Sequence, residues 1–279
     1  MQNSELNTAA KQPSLPPNGP AVSPPPGPSW TFAWPDRPWR VFLLPAILVL
    51  AAAAALWVDC PLAFWCMADN CPGFLAKLFA NIEPFGHGMG VAVILVALYQ
   101  LDRDHRAALP RVLLMSLGSG LAANGIKMLI ARARPRHFDF QGTVADTFGG
   151  WLPFLSAGSD GQSFPSAHAA TAVGLAAALI WLYPRGRWLF VTLAVLVACQ
   201  RVETGVHFLS DVLCGAALGC LVAAAGLHFG LLPGWFDRLE RYLQARPNWP
   251  FRTSTGGLRP GETCSSPPSS DRDERSRAA

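Results

Sequence analysis

Apolar residues in this chain fall in long uninterrupted blocks. A half-buried strand would alternate apolar and polar positions, and a surface helix would repeat its apolar positions every three or four residues. A membrane-crossing helix needs ~20 mostly apolar residues, with a range of about 17–25. Six blocks approach that length: 41–58, 85–100, 111–131, 166–183, 188–201 and 211–232. The second is the weakest, with Gly86, Gly88 and Gly90 near its start, and the fifth is short unless it continues through 202–206. Small residues recur inside the blocks, at Gly118, Gly120, Ala122 and Ala123 and at Gly215 and Gly219. Such residues let helix backbones approach closely in lipid. The pattern predicts an all-α fold, an integral membrane six-helix bundle over residues 39–245.

The flanks read differently. Residues 1–38 are crowded with prolines, among them Pro24, Pro25, Pro26 and Pro28, which break helices and build no core. Residues 246–279 are rich in Ser, Pro, Arg and acids. Both are expected to be disordered tails.

Composition agrees with a membrane protein: 51% of the 279 residues are hydrophobic and 14% charged, against ~25% charged in an ordinary soluble domain. The net charge of +4 is mild. No basic stripe interleaved with aromatics marks a nucleic-acid surface. No short apolar core follows an early basic start, so the first block reads as an anchor and not as a cleaved secretion signal. Cys60, Cys66 and Cys71 cluster in one expected loop, where an oxidising compartment would permit one disulfide. Cys199, Cys214 and Cys220 read as small hydrophobes in apolar segments.

Charge between the blocks sets an orientation. Arg37, Arg40, Arg103, Arg106, Arg111, Arg185, Arg187, Arg238, Arg241 and Arg246 fall on one side if both tails are cytoplasmic. That distribution fits the positive-inside tendency. Trp181, Tyr183 and Trp188 then bracket an inner turn, as interfacial aromatics do. The loop 132–165 and the remaining polar clusters face the outer, periplasmic side of an inner membrane.

Those clusters carry the candidate chemistry, because charge at a bilayer edge is costly and marks a substrate path or a reaction. Lys127 and Arg134 are seven residues apart and share a face if helix continues that far; Pro135 follows. The plainer reading is a snorkelling lysine flanked by Arg132 and Arg136 as interface anchors. Pro165-Ser166-Ala167-His168 opens the fourth block. Ser166 at a helix start brings a hydroxyl and free backbone N–H groups that bind anions; the plainer reading is a cap with an interfacial histidine. Arg201, His207 and Asp211 straddle the last two blocks. One helical turn would bring the Asp211 carboxylate to His207, fixing its tautomer and freeing the other ring nitrogen to attack. The plainer reading is a structural His–Asp pair. Ligands are too few for a convincing metal site. Together, three cations and two histidines at successive outer boundaries suit a reacting anion, and phosphate is the obvious one.

With these residues in view the chain resembles the type 2 phosphatidic acid phosphatases, relatives of vanadium haloperoxidases. The family pattern is K-x6-R-P, then P-S-G-H, then S-R-x5-H-x3-D. Lys127 through Arg134-Pro135, Pro165 to His168, and Gln200-Arg201 through His207 and Asp211 match it over roughly residues 84–232. Two positions depart: Ala167 stands for the usual Gly, and Gln200 for the usual Ser. The resemblance implies a membrane lipid phosphatase that cleaves a phosphomonoester or diphosphate through a phosphohistidine, without metal or other cofactor. It implies His207 as nucleophile, oriented by Asp211; His168 as general acid and base; and Lys127, Arg134, Ser166, Ala167 and Arg201 as the phosphate site. The implied partner is an amphiphilic lipid phosphate or polyprenyl diphosphate in the bilayer: phosphatidic acid, phosphatidylglycerol phosphate, undecaprenyl diphosphate or lipid A. A lipid phosphotransferase would use the same residues. A non-catalytic transporter or anionic-lipid binding protein would need the cations but not the His207–Asp211 pair. Six spans argue against a soluble haloperoxidase. His87, His105 and His228 are read as packed or interfacial, Glu203 as solvated or paired with an arginine, and His137 and Asp139 as loop residues or substrate contacts. The segment 136–162, with Gly149-Gly150-Trp151 and Phe154, is read as a lid or a headgroup contact.

Overall fold

The computed structural model describes residues 38–68, 70–154, 158–229 and 231–245. The expected tails lie, but for Pro38, outside the described residues. Nine α-helices occur among the described residues: α1 (Leu43–Ala55), α2 (Asp59–Met67), α3 (Gly73–Ile82), α4 (Gly88–Leu101), α5 (Leu109–Lys127), α6 (Ala167–Leu182), α7 (Arg187–Glu203), α8 (Leu209–Leu227) and α9 (Leu232–Ala245). A small antiparallel pair, β1 (Ile130–Arg132) with β2 (Phe148–Trp151), interrupts them. The fold is therefore mostly helical and not purely so, and the expected long loop carries a strand pair.

Helix α6 is the hub, packed by α5, α7 and α8, while α1 lies on α8 and α3 on α7. Its Leu175, Ala178, Leu179 and Trp181 join Val112 and Met115 of α5 and Val197 of α7 in the main core. Glycine makes the close approaches. A Cβ on Gly174 would sit 2.1 Å from the Met115 carbonyl oxygen, and one on Gly215 would sit 2.3 Å from that of Ser166. Gly219 meets the Ala170 carbonyl oxygen in the same way, at 2.6 Å. The small-residue step of the last block thus seats α8 against the start of α6, which is where the candidate chemistry lies.

The apolar blocks map unevenly onto helices. Blocks four and five become α6 and α7 within two residues at each end; α7 runs on to Glu203 but not to 206. The first block breaks after Ala55, and α2 leaves at 75° to the helix before it. The second is preceded by α3, which meets α4 at 67°. The third ends at Lys127 and the sixth at Leu227, after which α9 begins a new, amphipathic helix held by Arg111 to Asp237 and Glu240 at 2.5 and 2.9 Å. By length and composition α8 alone among the described helices can cross a bilayer unaided, or up to three spans exist if each bent pair counts as one. At ~1.5 Å per residue, the 16 residues of α6 and 17 of α7 fall short of a ~30 Å hydrocarbon core.

Candidate active site

The candidate residues come from alternate helix ends that meet at one end of the bundle. Lys127 closes α5, Ser166 caps α6, Arg201 lies in the last turn of α7, and Asp211 lies in the first turn of α8. Between α7 and α8 the chain turns through Gly205, whose φ of +63° is the left-handed conformation that favours glycine. The turn returns the His207 N–H to the Arg201 carbonyl oxygen, 3.1 Å away, and so ties the two functional side chains into one backbone unit.

Asp211 is fully buried and held on every side. Its Oδ2 accepts from the Ser163 hydroxyl at 2.6 Å and from the Phe208 N–H at 2.9 Å, and its Oδ1 accepts from Arg132 at 2.5 Å. His207 Nδ1 lies 3.8 Å from Asp211 Oδ2, with the Ser163 hydroxyl beside it, 3.4 Å from Nδ1. One helical turn does bring carboxylate to imidazole, with a serine between. Burial pulls the His207 pKa below the ordinary imidazole value, and Asp211 opposes that shift. With Nδ1 turned toward Ser163 and Asp211, Nε2 is the nitrogen free to react.

Lys127 and Arg134 act electrostatically on this histidine, and Arg201 acts on Arg134 and His168. Lys127 Nζ donates to the Gln162 carbonyl oxygen at 2.8 Å. The helix does not continue from Lys127 to Arg134, so the shared-face argument fails. Arg134 is instead extended, with φ −79° and ψ 147°, after β1 has turned the chain back. The two still act on each other electrostatically, and Arg134 also feels Arg201. Arg134 Nε and His168 Nε2 are buried without a hydrogen-bond partner among the described residues. Buried donors of this kind need an acceptor, and a phosphoryl oxygen is one. Arg201 is held by Gln200, whose Oε1 accepts from its Nε at 2.5 Å, and by Glu83 at 2.9 Å. The Gln200 departure therefore supplies an orienting acceptor. The Ala167 departure needs no left-handed backbone, since Ala167 opens α6 and is not among the residues with positive φ. Ser166 Oγ accepts from the Ala169 N–H at 3.4 Å, while its own N–H is spent on the Asp211 carbonyl oxygen at 3.0 Å. The Ala167 and His168 N–H groups are in the first turn, where intrahelical acceptors are lacking.

Four residues have contacts at the site that the sequence reading did not assign. Arg132 is no interface anchor: it is wholly buried, bonded to Asp211 and to Asp59 of α2. Asp59 and Ser163 carry no local signal beyond being polar beside apolar blocks, and their partners are distant in sequence. Glu83, in the 3-10 turn before α4, pairs with Arg201 and lies 3.6 Å from His168 Nε2. The remaining polar residues are settled by their neighbours. His87 caps α4 at the bend between α3 and α4, accepting from the Met89 N–H, and its ring centroid lies 5.6 Å from that of His168. His105 meets Asp102 at the opposite end of α4. His137 meets Asp160 at 3.2 Å, and Asp139 accepts from the Gln141 N–H. Cys60, Cys66 and Cys71 are free thiols, with Cys60 and Cys66 on α2 and not in a loop; Cys199 is exposed and not buried. The β1–β2 pair and the Arg132 N–H bond to the Gly161 carbonyl oxygen tether parts of the 136–162 segment to the site.

Comparison with known proteins identifies relatives of the chain. The PAP2 superfamily model matches residues 108–232, the stretch from α5 to the start of α9. A lipid A 1-phosphatase of Rhizobium etli is 30% identical over 240 residues, covering 80% of this chain and 92% of that protein. A lipid A 1-phosphatase of Rhizobium johnstonii is 40% identical over 126 residues, 42% of this chain and 49% of that protein. Two solved structures are similar. A transmembrane PAP2-type phosphatidylglycerolphosphate phosphatase of Bacillus subtilis has a TM-score of 0.47 at 21% identity, covering 74% of this chain and 98% of that one. Aquifex aeolicus LpxE has a TM-score of 0.45 at 19% identity, covering 60% and 93%. On its motifs, and on the near-full-length match to the Rhizobium etli protein, the chain belongs to the PAP2 superfamily of phosphatases.

Proposed function

We propose that this membrane phosphatase removes the 1-phosphate of a lipid A-type glycolipid, with His207 as nucleophile. The observation that carries the mechanism is the meeting of His207, held through Asp211 and Ser163, with Lys127, Arg134, His168 and Arg201 at one end of the bundle. The substrate follows from the Rhizobium etli relative, which is a lipid A 1-phosphatase matched over most of both chains. Residues 39–245 form the catalytic domain, with six membrane crossings in which the bent pairs α1–α2 and α3–α4 each supply one. Both tails are cytoplasmic, and the site opens toward the periplasmic face of the inner membrane.

His207 Nε2 attacks phosphorus as the P–O bond to the lipid breaks, and His168 gives its proton to the departing oxygen. The phosphate dianion supplies the counter-charge for that protonated ring. Lys127, Arg134, Arg201 and the first-turn N–H groups of Ala167 and His168 stabilise the charge spread over the equatorial oxygens. Neutral His168 then takes a proton from water, hydroxide attacks phosphorus, the N–P bond breaks, and phosphate leaves. In this reading Lys127, Arg134 and Arg201 do the work that magnesium does in many phosphoryl-transfer enzymes.

Phosphate release from a lipid panel tests the substrate: lipid A 1-phosphate is expected to be hydrolysed at least about tenfold faster than phosphatidic acid, phosphatidylglycerol phosphate or undecaprenyl diphosphate, a selectivity worth ~1.4 kcal/mol. Preference for one of the others reassigns it. Vanadate is expected to inhibit, by adopting the five-coordinate geometry of the transition state, and chelators to leave the rate unchanged; strict dependence on a divalent ion contradicts the metal-free pocket.

Glu83 gives a second expectation. Its carboxylate holds Arg201 and must yield it to an incoming phosphoryl group. Glu83→Gln removes that competing charge, so KM and the vanadate inhibition constant are expected to fall several-fold, about 1 kcal/mol for a partly exposed pair. A rise in both would make Glu83 a support for Arg201 and not a competitor.

A further inference from the structure

Arg132, Asp59 and Asp211 form a buried charge cluster directly behind His207, and the reaction as described so far does not use the first two. All three side chains are fully enclosed. Arg132 donates to Asp211 Oδ1 at 2.5 Å, to Asp59 Oδ2 at 2.8 Å, to Ser210 Oγ at 2.7 Å and to Thr147 Oγ1 at 3.1 Å. Phe148 and Phe208 cover the guanidinium, with ring centroids at 4.5 and 4.3 Å. Asp59 also accepts from the Ser210 N–H at 3.0 Å and from the Ser210 hydroxyl. Burying this many charges is expensive unless each is paired, and a purely structural bridge between β1 and α8 would need one carboxylate, not two.

The charge count explains the second. Arg132 with Asp211 alone sums to zero, which leaves no net negative charge on the Nδ1 side of the positive ring that His207 becomes when its Nε2 carries phosphorus. Lys127 from α5, Arg134 after β1, Arg201 from α7 and, when protonated, His168 from α6 oppose that ring, and the Glu83 carboxylate before α4 is engaged with Arg201 and His168. Adding Asp59 from α2 gives the cluster one net negative charge. We propose that Asp59 and Arg132 are positioning residues for the reaction. Arg132 fixes the Asp211 carboxylate, and Asp59 cancels the guanidinium charge, so that Asp211 still stabilises a cationic His207. The bend after α1 acquires a purpose, since it is α2 that carries Asp59 beneath the site.

This inference rests on His207 being the nucleophile. It is tested by the pH dependence of kcat/KM for wild type, Asp59→Asn and Arg132→Gln, all on one lipid phosphate that the wild type hydrolyses, so that the ionisation of the substrate is common to all. Removing the negative charge makes His207 harder to protonate, and the acid limb is expected to move down by roughly one pH unit, with kcat about tenfold lower and KM little changed. Removing the positive charge is expected to move the limb up, whatever happens to kcat. Each variant is read by itself. Where one does not fold, its charge-preserving counterpart, Asp59→Glu or Arg132→Lys, is expected to keep the wild-type limb, and a moved limb there overturns the inference. Limbs that stay put in the charge-removing variants, or shift in the same direction in both, also overturn it and leave a structural bridge. Wild-type hydrolysis by His207→Ala would remove the nucleophile reading itself; an essential His207 with immobile limbs removes this inference alone.

Discussion

Replacing His207 with alanine is expected to lower phosphate release at least ~10³-fold, the scale on which loss of a covalent nucleophile is felt in enzymes whose residues act as a unit. The protein should stay folded. The imidazole is almost wholly buried and its side-chain polar contacts are with Ser163 and Asp211, so a loss of the ordinary size of about 1–3 kcal/mol is expected. Measuring release in detergent micelles, alongside yield and thermal midpoint, separates chemistry from folding. A folded His207→Ala protein with near wild-type release would exclude this histidine from bond-making.

Asp211→Asn is expected to damage both chemistry and stability. The carboxylate accepts from three donors: Ser163 and Phe208 on one oxygen, and Arg132 on the other. An amide offers one acceptor oxygen, and its NH₂ must then face a donor in a site from which water is excluded. Removing one partner of a buried charge pair typically costs about 3–5 kcal/mol. Turnover should fall on the order of 10³-fold, because His207 loses the charge that stabilises its cationic form. The thermal midpoint should fall with it, and by more than in His207→Ala. Equal losses of stability in the two variants would mean that Asp211 serves packing only.

The ends of α6 were legible because Pro165-Ser166 marks the start of a helix and the aromatic turn after Leu182 marks its end. The convergence of Lys127, Ser166, Arg201, His207 and Asp211 was legible because each sits at an alternate end of an apolar block, and consecutive antiparallel helices bring alternate ends together. The bends after Ala55 and before Gly88 were not. Apolar content runs through them, and lipid-facing composition does not report direction. The route from Lys127 to Arg134 was misread for a related reason: a seven-residue spacing suits a helix, but β1 pairs with β2 across 15 or more intervening residues, and periodicity does not reveal that pairing. Arg132 shows the limit most plainly. In sequence it is one arginine among three beside a membrane edge; only Asp59, 73 residues earlier, makes its burial tolerable, and a single sequence carries no trace of that partner.

The central claim is that phosphorus passes through His207, and trapping it there is the direct test. With an aryl phosphate, whose leaving group needs no proton, His168→Ala should complete the first step and stall before hydrolysis. Quenched protein carrying radiolabelled phosphate is expected to show one acid-labile, base-stable label that maps to the peptide containing His207. A label on any other residue would contradict the account.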